Sequence, residues 1–241
     1  MLYIIISDIH GNIQAFDAAV KSFPDAAGRR ILSVGDTVGY GANPVECVAL
    51  MSSLGAENVM GNHDAAVAEK TDTSFFKEYA KEAVIWTKGN VGQRERDYLG
   101  SLPYVREFPE LTIVHGTLHS PEEFIYMMTG SDAMNTFEVL KTKVCFVGHS
   151  HMPGVYRLRG GELFESWNKK VKIEKDSSYV INAGSVGQPR DGDPRACYCV
   201  YDTDKFEIEF RRVEYDINSA HDAIIKAGLP QVLAERLFKG R

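Results

Sequence analysis

Apolar and polar positions follow two different rhythms along this chain, and the change between them divides it. In the first two-thirds, short apolar runs alternate with stretches of helical spacing. LYIIIS (2–7) reads as a buried strand running out at Asp8. Beyond it Ile13, Phe16, Ala19 and Val20 recur at helical intervals as far as Lys21, with Asn12 placed to cap the helix. RILSV (30–34) is a second strand, ending in Gly-Asp, and Pro44 suits the first turn of a helix reaching about Leu54. ENVM (57–60) is a third, short strand. Residues 65–102 then change character. FFKEYAKEAVIWTKGN and QRERDYLGSL predict a helical insertion whose apolar face is Phe76, Tyr79, Ala80, Ala83, Ile85 and Trp86. Strands return at TIVHG (112–116) and VCFVG (144–148), with helical stretches between 121 and 141.

From residue 153 the period shortens to two. VYRL, ELFESW, SYVIN, ACYCVY and FEIEF alternate in the manner of half-buried strands, broken by Gly-Gly, Asp-Gly and Thr-Asp-Lys turns. Helices close the chain around 216–227 and 230–238. A β-α-β half followed by a β-rich half predicts an α/β (α+β) fold of two packed mixed β-sheets flanked by helices. No repeat or long linker divides it, so one domain spanning 1–241 is expected. Its insertion at 65–102 would supply either a pocket wall or a homo-oligomer contact.

Composition narrows the function classes. The chain is 44% hydrophobic and 25% charged, the balance of an ordinary globular protein. No apolar stretch approaches the ~18 residues of a membrane span, and the run Met1–Ile6 is too short and lacks the basic flank of a signal peptide. No membrane partner and a cytoplasmic location are therefore expected. A net charge of −6 without a basic stripe argues against a nucleic-acid duplex as partner. Cys197 and Cys199 fall on one face of a strand, where packing is the simpler reading than metal binding.

The chemistry gathers at strand ends. SDIHGN (7–12), VGD (34–36), GNHD (61–64), VHG (114–116) and GHSH (148–151) each follow an apolar run with metal-ligand residue types, and NAGSVGQPR (182–190) is a sixth segment of this kind. Five of the seven histidines lie in them, at 10, 63, 115, 149 and 151. Open α/β sheets place ligands outside the carboxyl ends of their strands, so these loops are expected to converge. In Asp8-x-His10 and His149-x-His151 an extended backbone would point alternate side chains the same way, toward one ion. Taken singly, Asp8, Asp36, Asn62 and Asp64 read as turn or cap residues and His115 as a buried core histidine. Taken together they would place many polar groups at the ends of buried strands with no partner, an expensive arrangement.

The order D-x-H-G-N, G-D, G-N-H-D, H-G, G-H-S-H resembles that of the calcineurin-like metallophosphoesterases, from Ile4 to about Tyr201. The resemblance implies a double-sheet fold and a centre of two divalent ions. One ion would be held by Asp8, His10, Asp36 and His151, the other by Asp36, Asn62, His115 and His149, with Asp36 bridging. His63 matches the catalytic histidine of that family, and Asp64 would orient its ring. Two divalent ions outweigh two carboxylates and one hydroxide, leaving the site near about +1 and attractive to phosphate in an acidic protein. Four imidazoles suit manganese, iron, cobalt, nickel or zinc better than magnesium or calcium, with manganese the first expectation.

The reaction so implied is hydrolysis of a small phosphate mono- or diester, nucleotides included, by in-line attack of a metal-bridging hydroxide. GDTVGYGANP and GSVGQPRDGDPRACYCVYD resemble the branch called diadenosine-tetraphosphatase-like or YfcE-like. Two departures matter. Gly39-Tyr40-Gly41 stands where protein phosphatases of the superfamily carry Asp-Arg-Gly, and Thr117 follows His115-Gly116 where Gly is usual. Both put phosphoprotein and symmetrical dinucleotide specificity in doubt. Asn12, Tyr40, His119 and Arg190 are the candidate substrate contacts. Arg190 either grips phosphate or joins a hairpin charge network with Asp191, Asp193 and Arg195. A phosphate-ligand sensor or an interaction scaffold on the same fold are the competing functions, separated from an enzyme by turnover.

Overall fold

A computed structural model describes all of residues 1–241. Its strands are β1 (Leu2–Ile6), β2 (Arg30–Ser33), β3 (Glu57–Asn58), β4 (Val105–Glu107), β5 (Leu111–Val114), β6 (Val144–Val147), β7 (Gly154–Arg159), β8 (Glu162–Ser166), β9 (Lys170–Lys172), β10 (Ser178–Asn182), β11 (Ala196–Asp202) and β12 (Glu207–Val213). They form two six-stranded mixed sheets, ordered β3-β2-β1-β11-β12-β9 and β4-β5-β6-β10-β7-β8. Within each sheet three strands run parallel: β1, β2 and β3 in the first, β5, β6 and β10 in the second. The carboxyl ends of these six strands feed the polar loops.

The sheets pack face to face over one core. Tyr3, Ile5, Leu32, Val34, Cys197, Cys199 and Tyr201 of the first sheet meet Leu111, Ile113, Val144, Phe146, Tyr179 and Ile181 of the second. Alternation in the strands makes this work: β1 sends Tyr3 and Ile5 inward, while Ile4 and Ile6 face outward. That outer face is covered by α1 (Ile13–Lys21) and α2 (Pro44–Ser53). Asn12 caps α1 by accepting from the Ala15 amide, and Pro44 opens α2. The sequence pattern locates both helices correctly. All four cysteines are free and buried, and Cys197 and Cys199 pack in the shared core.

Three further helices build the insertion: α3 (Asn62–Val67), α4 (Glu78–Asn90) and α5 (Gln93–Ser101). Helix begins at Asn62, three residues before the change of character expected near 65, and this first helix carries site residues. The apolar face of α4 also differs from expectation. Ala80, Ala83, Val84 and Thr87 are buried, whereas Ile85 is 59% exposed and Phe76 lies before the start of the helix. A helix of 3.6 residues per turn buries 80, 83, 84 and 87 together and turns 85 away. The short strands β4 and β9, three residues each, carry no alternation that the sequence pattern can reveal. On the second sheet α6 (Gly130–Val139) buries Ala133 with the outward-facing Val114, Cys145 and Val180. The C-terminal helices α7 (Ile217–Lys226) and α8 (Gln231–Glu235) pack against α4 through Ala220, Ile224, Leu233, Ala80 and Ala83. No helix is long and apolar enough to cross a membrane.

Candidate metal centre

Loops after β1, β2, β5 and β6, with the start of α3, bring Asp8, His10, Asp36, Asn62, His63, His115, His149 and His151 to one buried place, none more than 9% exposed. Three triads have donor atoms close enough to share an ion: Asp8, His10 and His151; Asp36, His115 and His149; and His10, Asp36 and His63. Around His10 the Nε2 atom stands 3.1 Å from His151 Nε2 and 3.5 Å from Asp36 Oδ2, and His151 Nε2 is 3.4 Å from Asp8 Oδ1. Around His115 the Nε2 atom stands 3.1 Å from Asn62 Oδ1, 3.1 Å from His149 Nδ1 and 3.3 Å from Asp36 Oδ2. Ligand atoms bound at about 2.1 Å to one ion are spaced about 3.0–3.5 Å apart in octahedral or tetrahedral geometry, so both groups fit a divalent cation.

Ring orientation supports the same conclusion. His10, His115 and His151 each direct Nδ1 at a backbone carbonyl: Val38 at 3.1 Å, Val34 at 2.8 Å and Gln188 at 2.6 Å. A carbonyl accepts only, so Nδ1 carries a proton and Nε2 is the atom turned inward, the orientation that metal-ligating histidines use. His149 instead turns Nδ1 inward, its ring stacked on Tyr126 with centroids 3.6 Å apart.

The backbone here is not extended. Asp8, His10, Asp36, His149 and His151 all lie in the left-handed region, with φ of 51°, 51°, 55°, 66° and 60°, and they are five of only nine such non-glycine residues in the chain. The alternating-strand geometry expected for Asp8-x-His10 and His149-x-His151 is thus replaced by tight turns. Each such residue costs on the order of 1–2 kcal/mol, which the surroundings must hold in place. At Asp8 they do so from several sides. Its amide donates to Gly35 O, its carbonyl accepts from Gly187 N and Ser185 Oγ, and its carboxylate accepts from Ser7 Oγ and the His149 amide. The 182–190 segment therefore braces the cluster from behind. Gly61 is required by close approach: a Cβ there would enter the Asp36 carboxylate.

Electrostatics of the cluster are those of a site built to receive cations. Burial pushes the Asp8 carboxyl up to about 7, against the pull of His115. Burial also opposes ionisation of Asp36, but His115, His63 and His10 around it hold its carboxyl well below the usual range. Burial works against charge on His115 too, yet Asp36 and Asp8 raise it to about 9. His10, His149 and His151 are driven down by burial and stay neutral, ready to ligate.

His63 stands beside the cluster, its amide donating to Asp36 Oδ1 at 2.9 Å. Burial lowers its ring to about 4, and its buried Nδ1 has no hydrogen-bond partner. Tyr40, His10 and Phe76 pack around the ring at centroid distances of 4.5, 4.8 and 5.0 Å. Asp64 does not orient it. The Asp64 carboxylate accepts from the amides of Thr37, Val38 and Gly61, bracing the β2 loop and the start of α3. As the third residue of α3, Asp64 folds back onto the residue before the helix, as a capping box requires. The spacing Gly61-x-x-Asp64 was the signal for this.

The four candidate substrate contacts divide. Arg190 and Tyr40 line a cavity of about 640 Å³ that opens over Asn62, His63 and His149. The Arg190 guanidinium lies 5.7 Å over the Tyr40 ring and donates to Gln188 Oε1. It takes no part in the hairpin network, where Asp191 pairs with Arg212 and Asp193 with Arg195. Asn12 is not at the cavity: its side chain is committed to the Ala15 amide and the Gly187 carbonyl. His119 is exposed in the loop after β5 and stands away from the cavity lining. Missed from the sequence were Tyr126 on His149 and Phe75 in the cavity lining; Phe76 and Tyr79, expected on the apolar face of the insertion, line the cavity as well.

Comparison with known proteins agrees with this geometry. A family model described as the calcineurin-like phosphoesterase superfamily domain matches residues 1–205. An uncharacterized protein of Methanocaldococcus jannaschii is 40% identical over 98% of this chain and 97% of its own length. The crystal structure of a metallophosphoesterase from Sphaerobacter thermophilus superposes with a TM-score of 0.87 at 35% identity, covering 100% of this chain and 99% of that one. A hypothetical protein from Pyrococcus horikoshii shares the fold, with a TM-score of 0.80 at 19% identity over 100% of this chain and 98% of its own. With the family's domain over most of its length and clusters fitted to divalent cations, the chain belongs to the calcineurin-like phosphoesterase superfamily and is a metal-dependent phosphoesterase.

Proposed function

We propose that this protein hydrolyses a small phosphate mono- or diester at a binuclear centre. Asp8, His10, Asp36 and His151 hold one ion, and Asp36, Asn62, His115 and His149 hold the other. The observation that carries this reading is the position of Asp36 Oδ2, 3.5 Å from His10 Nε2 and 3.3 Å from His115 Nε2, which joins the two groups through one carboxylate. The mixed imidazole and carboxylate donor set suits a transition metal; manganese is the ion proposed first, with iron, zinc, nickel or cobalt as alternatives. When bound, such a pair supplies an acidified water and a clamp on the phosphoryl oxygens.

The chain's own residues do the rest. Arg190, unpaired by any carboxylate, grips a phosphoryl oxygen at the cavity wall. His63 is neutral and held by aromatic packing; its ring N–H donates a hydrogen bond that steadies charge on the departing oxygen. Tyr40 holds both His63 and Arg190 in place by ring contact. A small phosphorylated molecule, nucleotides included, is the partner this predicts.

The test is hydrolysis of bis-p-nitrophenyl phosphate and p-nitrophenyl phosphate by metal-free protein, with manganese restored, beside Asp36→Asn. Manganese-dependent turnover that the variant loses supports the proposal, and the preferred ester separates diesterase from monoesterase. No turnover of either ester by protein carrying two ions would overturn it in favour of a phosphate-ligand sensor.

A further inference from the structure

The cavity over the cluster has two chemically different ends. Its inner end is Asn62, His63, His149 and Arg190, which with bound cations is strongly positive. Its outer wall is aromatic, formed by Phe75 and Tyr79 of the segment leading into and through the start of α4, with Phe76 between them reaching in to the His63 ring. Phe75 is 97% exposed. A single exposed ring needs no explanation, but this one completes the wall of a concave site instead of standing alone. At about 640 Å³ the cavity is also far larger than a phosphoryl group fills.

Charge at the mouth has the opposite sign to that of the floor. Asp72, Glu122 and Glu123 line it as exposed carboxylates, with Lys77 the one exposed ammonium beside them. A second or third phosphate extending outward would meet net negative charge in a partly desolvated cleft. A neutral heterocycle would instead find ring faces to stack on and carboxylate oxygens to accept its N–H donors.

Resting on the phosphoesterase reading above, we infer that the outer half of the cavity takes the planar base of a nucleoside carrying a single phosphate ester, and that the rim disfavours polyphosphate-linked esters. Phe75 is the specificity residue that stacks on the base. Glu122 and Glu123 are the residues that repel further phosphates.

The experiment compares three methyl esters with manganese-loaded protein: thymidine 5′-phosphate, the same sugar phosphate lacking the base, and thymidine joined through a diphosphate. The first two release the same kinds of alcohol, so their intrinsic reactivity is matched. Stacking of one base predicts a kcat/KM about 5- to 100-fold higher with the base present, mostly through KM. Phe75→Ala brings that ratio close to one, and its near-complete exposure means the fold is undisturbed. The diphosphate-linked ester is turned over at least about tenfold less well than the monophosphate ester, and the E122Q/E123Q variant narrows that gap. Titration with thymidine 5′-monophosphate against the abasic sugar phosphate reads the same preference without turnover. Equal kcat/KM with and without the base, or a ratio unchanged in Phe75→Ala, overturns the inference. Hydrolysis of bis-p-nitrophenyl phosphate with neither single-phosphate methyl ester accepted also overturns it, leaving the phosphoesterase reading intact. Turnover of none of these compounds removes both.

Discussion

Asp36 sits where the two ligand groups meet, with its backbone in a left-handed turn and Gly61 pressed against its carboxylate. That pairing shows how the site works at the scale of single residues: ligand positions are fixed by strained turns that neighbouring glycines and amides hold closed. His63 is different, because its ring is held by aromatic contacts and its Nδ1 is left free. His63→Ala is therefore expected to lower kcat by about 10²–10⁴-fold while the metal content stays at the wild-type value. Steady-state kinetics and elemental analysis on the same sample check this. Loss of an ion along with activity would instead make His63 a ligand, through the triad it forms with His10 and Asp36. Which residues would gather in one cluster was legible in the sequence, since aspartate and histidine at strand ends announce themselves. The left-handed turns were not, because aspartate and histidine carry no mark of that conformation as glycine does. Asp64 misled because adjacency to His63 suggested contact, whereas a helix start sends successive side chains in different directions.

At the scale of elements, the insertion is where sequence and structure part most. Helical periodicity announced α4 and α5, but which face of α4 is buried depends on α3, α5 and the C-terminal helices that pack on it. Val84 is wholly buried and Ile85 is 59% exposed, although both are β-branched and adjacent. Val84→Ala should destabilise the protein by about 1–3 kcal/mol, from lost burial and a residual cavity. Ile85→Lys should stay within about 0.5 kcal/mol of wild type. Urea denaturation of the two variants distinguishes them, and equal losses would mean that α4 is rotated from the orientation described. The same helix ties into the site: Thr87 Oγ1 lies 3.2 Å from the Gly39 carbonyl, in the turn beside His10 and His63. Short strands β4 and β9 were invisible because three half-exposed residues at a sheet edge carry almost no periodic signal.

Across the whole molecule, an acidic chain of net charge −6 builds a buried pocket that only cations make attractive to phosphate. Metal loading must then displace protons. Asp8 is raised to about 7 and His115 to about 9, so both groups are largely or partly protonated near neutrality in the metal-free protein. Each must lose its proton to ligate, so apparent affinity for manganese rises as pH rises through 7 toward 9 and falls below that window. Calorimetry in buffers of different ionisation enthalpy checks the sign, because loading at pH 7 should release roughly one to two protons. Affinity independent of pH over this range would show that the two groups are already deprotonated. Two packed sheets were readable from the switch in apolar period, and the convergence of the strand-end aspartates and histidines from strand-end chemistry. That Phe75, Phe76 and Tyr79 face the cluster was not, since it depends on how the insertion folds back over strand ends distant in sequence.

The central claim is that one carboxylate joins two metal sites, and manganese stoichiometry tests it most directly. Elemental analysis after reconstitution should give about two ions per chain in the wild type, about one in His151→Ala, and well below one in Asp36→Asn. A wild-type stoichiometry of one, or two ions retained by Asp36→Asn, would contradict the account.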